Sequence, residues 1–493
     1  MKVKIMIGRK KKNEKLNGQN EKMKKSERNK ELAVITYIFL GIFMLLMGYF
    51  VYFNVFVSEE VINSPYNARQ DVFEDRIVRG DILTNDGTVV AKTEVSSDGN
   101  QTRVYPYGNV FAHVIGYASK GKSGIESLGN FSLLRSHAFF LEKMYNEFKK
   151  EKNKGDSVVS TLLLDVQQTA YDALGDLNGA VIAIEPSTGK ILAMVSKPDF
   201  NPNEIDNIWD SLVSSEDSTS TVLLNRATQG LYPPGSTFKI LTTLEFLREN
   251  KNASDYTFDC QGSLTKDGVT INCYKGSVHG SVDLITSFAK SCNTSYANIG
   301  LTLNNTKFKG LCESLLFNQK LPFELPYKKS SFVLSKKSDT SEIMQTAIGQ
   351  GKTQVTPLHM AMITSAIAND GELMVPYLID STQNYSGVSV KKNKPVSYGK
   401  LLTEKEAGII QEYMENVVTN GTAKTLAGQS YQAAGKTGSA EFSNVKGESH
   451  SWFVGYANKG EKEIALAVIA EGAGAGSEYA VPIAKKIFDS YFN

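Results

Sequence analysis

The sequence predicts an α+β fold: an antiparallel sheet flanked by helices, preceded by a single transmembrane helix and a smaller, mostly β domain. Three observations carry this. An uncharged run of 26 residues, Leu32–Val57, lies near the N-terminus. Residues 58–155 contain short strand-like pieces with turn signals. From about Asp156, apolar strand pairs stand at both ends of a long segment whose middle has helical periodicity.

The apolar run comes first. About 20 apolar residues cross a bilayer at about 1.5 Å per residue, so 26 suffice. A cleaved signal peptide usually has only about 7–15 apolar residues followed by small ones. This run is longer and ends before the acidic pair Glu59-Glu60, which favours an uncleaved anchor. Residues 1–30 hold twelve Lys or Arg against three Glu, a charge of +9; the whole chain is +2, which leaves −7 for the remainder. Basic residues stay preferentially on the cytoplasmic side. The tail is therefore expected inside, against anionic lipid, and everything after Val57 outside. That reading displaces nucleic-acid binding for the basic block.

Next, DRIVRGDILTNDGTVVA is strand-like, with Asp86-Gly87 as a turn signal, and 137–155 reads as a helix or linker. DVQQTAYDALGDL looks helical, and GAVIAIEPSTGKILAMVSKP reads as a hairpin around Pro186-Ser187-Thr188-Gly189. After Pro233-Pro234-Gly235, Ser236 suits a helix N-terminus, and Ile240, Leu241, Leu244 and Leu247 form an apolar stripe. Residues 401–421 predict a second helix, with Thr403 as N-cap and Gly421 past its end. SWFVGYA and IALAVIAE flank Asn458-Lys459-Gly460 as another hairpin, and VPIAKKIFDSYF closes the chain as an amphipathic helix.

Four cysteines, at 260, 273, 292 and 312, are too few for a disulfide scaffold in a chain this long. Cys260 and Cys273 could be bridged, free, or bind a metal with His279. The spacing supplies only three ligands, so ordinary structural cysteines are the expectation.

A hydroxyl nucleophile needs a base nearby, and residues i and i+3 of a helix share a face. Ser236-Thr237-Phe238-Lys239 therefore sets a hydroxyl beside an amine. Seven other serines have lysine three residues on, so the pattern alone is weak. Only Ser236 precedes the chain's one Ser-x-Asn, Ser291-Cys292-Asn293, and then Lys436-Thr437-Gly438, which runs into Ser439. The five histidines form no Ser-His-Asp pattern, and no Gly-x-Ser-x-Gly elbow surrounds a serine. His450 follows the Lys-Thr-Gly strand and is the one histidine expected near the site.

This ordered triple resembles the penicillin-binding protein and serine β-lactamase superfamily. QGLYPPGSTFK, IGQGKTQVTPLHMA, GKTGSAE and HSWFVGYA are similar to transpeptidase segments of class B penicillin-binding proteins. Upstream, Arg79 and Gly80 match an Arg-Gly-x-Ile segment, but Thr84 and Asn85 stand where the family usually has Asp-Arg. The resemblance implies a basic tail at 1–31, an anchor at 32–57, a pedestal at 58–155 and a transpeptidase domain at 156–493. It implies a D,D-transpeptidase acting on D-Ala-D-Ala stem peptides and acylated by β-lactams, with neither metal nor organic cofactor. Ser236 would be the nucleophile, Lys239 its base and Ser291 the proton relay to the leaving group. Asn293 would hold the substrate amide, and Lys436 and Thr437 the terminal carboxylate. Gly438 belongs to the same substrate-binding strand, and the N–H groups of Ser236 and Ser439 would form the oxyanion hole. A free lysine titrates at about 10.4, so Lys239 can act as base only if burial or a neighbouring cation lowers that value, and Lys436 is the candidate cation.

Two alternatives remain from the residues. A membrane-anchored β-lactamase would need a group to hydrolyse its acyl-enzyme; Glu313 through Asn318 has the wrong spacing for it. A non-catalytic scaffold would only activate a partner. The 98 residues between anchor and catalytic domain are too few for a glycosyltransferase domain. By resemblance, sugar polymerisation then falls to a polytopic glycosyltransferase partner.

Overall fold

A computed structural model describes residues 2–53, 57, 77–149, 151–213, 221–442 and 448–493. The Glu59-Glu60 pair, the first residues of DRIVRGD and Ser443 lie outside the described residues. Two units, 1–67 and 68–493, are each compact in themselves.

In the first unit, Lys2–Tyr52 is one α-helix. Its stretch Lys10–Tyr52 is long and apolar enough to cross a bilayer. Leu45, Phe50 and Phe39 are exposed, as lipid-facing side chains would be.

The second unit is built on a five-stranded antiparallel sheet. Its strands are β1 (Gly179–Ile184), β2 (Ile191–Lys197), β3 (Gln432–Glu441), β4 (Ser449–Lys459) and β5 (Lys462–Ala470), in the order β3-β4-β5-β1-β2. Both expected hairpins are present, and β5 joins them by pairing with β1. β1 is buried at every position, so helices must cover both faces. The helices α1 (Leu164–Leu174) and α6 (Ala480–Phe492) pack on each other and on the sheet. Separately, α4 (Pro357–Ala368), apolar almost throughout, packs on β1, β4 and β5. The remaining helices that matter for the site are α2 (Lys239–Glu249), α3 (Asn293–Thr302) and α5 (Glu404–Thr419).

α5 begins where the sequence expects. Thr403 accepts from the Glu406 N–H, and the Glu406 carboxylate accepts in return from Thr403 N–H, closing a capping box. Thr403→Ala should cost about 1 kcal/mol, read as a lower Tm in thermal unfolding; an unchanged Tm would mean that the cap contributes nothing.

A second, six-stranded sheet crosses the boundary expected near residue 155. Strands Ile82–Leu83, Val89–Val95 and Gln101–Val104 join Ser157–Ser160, Ile379–Gln383 and Ser389–Lys392. Short helices between 108 and 149 accompany it. Arg79 and Arg103 both donate to the fully buried Glu126 carboxylate, at 2.7 Å each. Burial alone would raise this carboxyl, but the two guanidiniums outweigh it and hold it below the usual range. Gly80 is required beside Arg79 because a Cβ there would stand 1.9 Å from Asp156 O. Thr84, which departs from the family's pattern, accepts from Thr88 N–H at 3.1 Å and holds the Asp86-Gly87 turn.

Candidate active site

The site forms where a turn, a loop and an edge strand meet. Gly235–Phe238 is a tight 3₁₀ turn that leads into α2 at Lys239. The turn is clamped at several points. Gly235 N–H donates to Gly349 O at 2.8 Å, Thr237 Oγ1 to Pro234 O at 2.7 Å, and Trp452 Nε1 to Pro233 O at 3.1 Å. Gly235 has φ +54, and a Cβ built on it would lie 3.0 Å from Ser439 O. The Ser236 turn therefore sits directly on β3. Gly438 permits the same approach from the strand side, since a Cβ on it would meet Thr237 Cγ2 at 3.1 Å.

Gly349, in the IGQGK segment, has φ +76 and no room for a side chain: a Cβ would be 1.9 Å from Gly235 O. Gly349→Ala should cost about 2–4 kcal/mol from strain and overlap together. The measurement is urea unfolding; a loss under 1 kcal/mol would show that the turn relaxes freely.

Ser236 is half-buried, and its hydroxyl has no hydrogen-bond partner among the described residues. It is therefore not a helix cap; the turn has no side-chain cap at all. Lys239, by contrast, is fully buried. Its Nζ donates to Asn293 Oδ1 at 2.7 Å, Ser291 O at 2.9 Å and Ser291 Oγ at 3.2 Å. Lys436, also fully buried, donates from Nζ to the same Ser291 Oγ at 2.9 Å and to Thr437 O at 3.1 Å. Both lysines thus converge on one hydroxyl.

Burial lowers the Lys239 amine to about 7, and the Cys292 and Cys273 sulfurs oppose part of that fall. Lys436 is also pushed well below the ordinary lysine value, by burial first and by Lys239 second. Of the two causes the sequence left open, burial and a neighbouring cation, burial is the larger for both lysines. Phe288 and Tyr296, themselves buried, lie beside Lys436 and Lys239 and help to exclude water.

Ser291 has φ +55, an uncommon backbone for a non-glycine residue and a cost of about 1–3 kcal/mol. The turn is held by Cys292 N–H, which donates to Ser287 O at 2.9 Å. Asn293 Nδ2 donates to Asn272 O at 3.0 Å. Along β3, Ser439 Oγ accepts from Gly476 N–H at 3.3 Å, and Thr437 Oγ1 pairs with Thr422 Oγ1 at 2.5 Å. Thr422 escaped the sequence reading; it follows the Asn420-Gly421 end of α5, and only packing of α5 on β3 brings it to Thr437. Among the described residues β3 is an edge strand of this sheet, and the outer edge of such a strand can pair with an extended peptide.

His450 lies one residue from the buried Ser451, stacked on Phe442 with ring centroids 4.3 Å apart, and accepts at Nδ1 from Gly472 N–H. His113 and His359 are buried, and burial lowers each to about 4. Cys260, Cys273 and His279 do come together, and the sequence reading did not count the fourth member of the group, Cys292.

Comparison with known proteins matches residues 179–489 to the penicillin binding protein transpeptidase domain and residues 79–158 to the penicillin binding protein A dimerisation domain. The peptidoglycan D,D-transpeptidase PbpA of Mycolicibacterium smegmatis is 30% identical over 489 residues, covering 93% of this chain and 98% of the relative. The peptidoglycan D,D-transpeptidase MrdA of Acinetobacter baumannii is 28% identical, covering 80% of this chain and 66% of the relative. Among solved structures, an imipenem acyl-enzyme complex of penicillin-binding protein A from M. tuberculosis superposes with a TM-score of 0.76 at 26% identity, covering 86% of this chain and all of that one. The D,D-transpeptidase domain of a peptidoglycan glycosyltransferase from Eggerthella lenta superposes at 0.75 with 31% identity, covering 84% and 98%. With its ordered motifs, its edge strand beside the Ser236 turn and these matches over nearly its whole length, the chain belongs to the penicillin-binding protein transpeptidase family.

Proposed function

We propose that this protein is a peptidoglycan D,D-transpeptidase that cross-links stem peptides through an acyl-enzyme on Ser236 and is inhibited by β-lactams. The observation that carries the assignment is a fully buried Lys239 whose amine is lowered to about 7, three residues after a Ser236 hydroxyl with no hydrogen-bond partner among the described residues. An amine with that value is half neutral at pH 7 and can accept a proton.

The steps follow from the groups in place. The stem peptide lies along β3 as an added strand. Ser236 Oγ attacks the carbonyl of the penultimate D-Ala, and Lys239 takes the hydroxyl proton. The Ser236 and Ser439 N–H groups stabilise the oxyanion. Ser291 Oγ accepts from both lysines, which uses its two acceptor sites and leaves its O–H to donate to the departing amine. The proton lost from Ser291 is replaced from Lys239. D-Ala leaves, and an amine from a second stem peptide attacks the ester in the reverse sense. Lys436 acts from beneath, through Ser291; Thr437 with Thr422 offers hydroxyls to the terminal carboxylate. Asn293 positions Lys239 as well as the substrate amide.

The uncharged run 32–57, most of it in the helix Lys2–Tyr52, anchors the chain in the cell membrane, with the basic tail cytoplasmic and the catalytic domain outside. The 58–155 region serves as pedestal and 156–493 as transpeptidase domain. A polytopic glycosyltransferase supplies the glycan strand, since this reading gives the chain no polymerising domain.

The test is mass spectrometry of the full-length protein after brief exposure to a penicillin. A persistent adduct on the peptide containing Ser236 supports the reading. An adduct elsewhere overturns the assignment of Ser236, rapid release favours a β-lactamase, and no adduct favours a scaffold.

A further inference from the structure

We propose that the helix Phe140–Lys149 is an interfacial helix whose outward face sits in the membrane surface, among lipid headgroups and the first acyl carbons. The proposal rests on the reading of 32–57 as a membrane anchor.

The helix is amphipathic in the reverse sense. At about 100° per residue, Leu141, Met144, Tyr145 and Phe148 fall on one face, and they are 65%, 52%, 56% and 88% exposed. Phe139, just ahead of the helix, is exposed too. Lys143 and Asn146 lie on the opposite face and are half-buried. Lys143 Nζ donates to Ser136 O at 2.7 Å, and Asn146 Nδ2 donates to Asn153 Oδ1 at 3.0 Å. A helix on the surface of a globular protein normally buries its apolar stripe and wets its polar one. Here polar side chains tie the helix to the protein, and the apolar ones point away from it. A contiguous exposed apolar face of this kind marks a contact site.

Three observations choose lipid as what covers it. The first is where the chain enters. Ile77 is the first described residue after Val57, and Ile77–Val78 pairs in parallel with Asn153–Lys154, four residues past the helix. The chain that follows the anchor run therefore enters this unit beside the helix. Nineteen residues lie between (76 − 57), and at about 3.3–3.6 Å each they span at most about 65 Å, which keeps the helix within reach of the bilayer.

The second is charge. Lys149, Lys150 and Lys152 stand against Glu151 at the end of the helix, a net +2 that suits anionic headgroups. Lys149 Nζ lies 4.5 Å from the centre of the Tyr145 ring, so an ammonium and a phenol meet at the rim of the apolar face. Tyrosine and lysine are favoured where lipid meets water. The third is size. A helix of 10 residues is about 15 Å long and about 10 Å wide, so this face offers about 150 Å², against about 800 Å² per partner in a stable protein interface. Lipid needs no such area, because the anchor already holds the chain at the membrane and makes this second contact intramolecular. The second unit then presents one fixed face to the bilayer, which limits the directions from which a stem peptide can reach β3.

The test uses the full chain in nanodiscs, one chain per disc, made of phosphatidylglycerol brominated on its acyl chains. The two native tryptophans give a low background: Trp452 is buried and Trp209 half-buried. Phe148→Trp reports on the helix, and Leu45→Trp reports on the anchor. Bromolipid should quench the added emission of both. Adding Leu141→Glu to Phe148→Trp should abolish the bromolipid quenching and open the tryptophan to iodide in the water. These side chains are exposed, so the Tm should not change. The proposal is overturned, with the anchor intact, if bromolipid quenches Leu45→Trp but leaves Phe148→Trp bright and open to iodide. It is equally overturned if Phe148→Trp is shielded from both quenchers, since protein then covers this face. If bromolipid quenches neither variant, the anchor reading falls and the proposal falls with it.

Discussion

A Ser236→Ala protein should take no covalent label from a fluorescent penicillin, while its Tm stays within about 1 °C of the wild type's. The loss is total because no ester can form without the hydroxyl. For turnover of a stem peptide the fall is about 10⁶-fold, the scale on which a lost serine nucleophile acts in serine hydrolases. Stability should hold because the hydroxyl is half-buried and makes no hydrogen bond among the described residues; such substitutions usually stay within about 0.5 kcal/mol. The pairing of lost labelling with retained fold separates a nucleophile from a structural serine. Undiminished labelling of Ser236→Ala would sink the assignment.

Lys239→Met should slow acylation by about 10²–10⁴-fold, the usual contribution of a general base. Methionine keeps the volume in a fully buried position but leaves Asn293 Oδ1 and Ser291 O without their donor, at about 1–3 kcal/mol. The rate must therefore be normalised to folded protein. The pH profile of the wild type is a sharper readout. Protonation below about pH 7 removes the free base, so the acylation rate should rise about tenfold per unit of pH up to 7 and level off above it. At its ordinary value of 10.5, only about one lysine in 3,000 would be neutral at pH 7. Desolvation at this position thus raises the fraction of competent base more than a thousandfold. A rate that stays flat from pH 5 to pH 9, or falls, would exclude Lys239 as the base.

Both effects depend on side chains that the sequence could nominate only in part. Ser236 is one of eight serines with lysine three residues on, and order along the chain separates it from the other seven. The depth of Lys239 is invisible at that level: Phe288 and Tyr296 come from other segments. So is the convergence of Lys436 on Ser291, because β3 reaches the loop before α3 across 145 residues of chain. The six-stranded sheet likewise joins residues 82–104 to 379–392, which no local pattern around residue 155 announces. Cys292 shows the same limit from another side. Read as the middle of Ser-x-Asn it looks indifferent; in space it completes a group with Cys260, Cys273 and His279.

The sequence by itself determined what is local or ordered. It set the apolar run, both hairpins, the Thr403 cap, the closing helix and the succession Ser236, Ser291, Lys436. Each of these rests on periodicities of two or 3.6 residues, on turn chemistry, or on motif order, and all can be read within a short window. Only the tertiary structure decided which of those pieces touch. The clamp of Gly349 on Gly235, the two lysines on one serine and the cluster of sulfurs behind it all join residues far apart in the chain. Their proximity comes from how helices and strands pack on the central sheet, and packing depends on the shape of every neighbour rather than on any spacing along the chain.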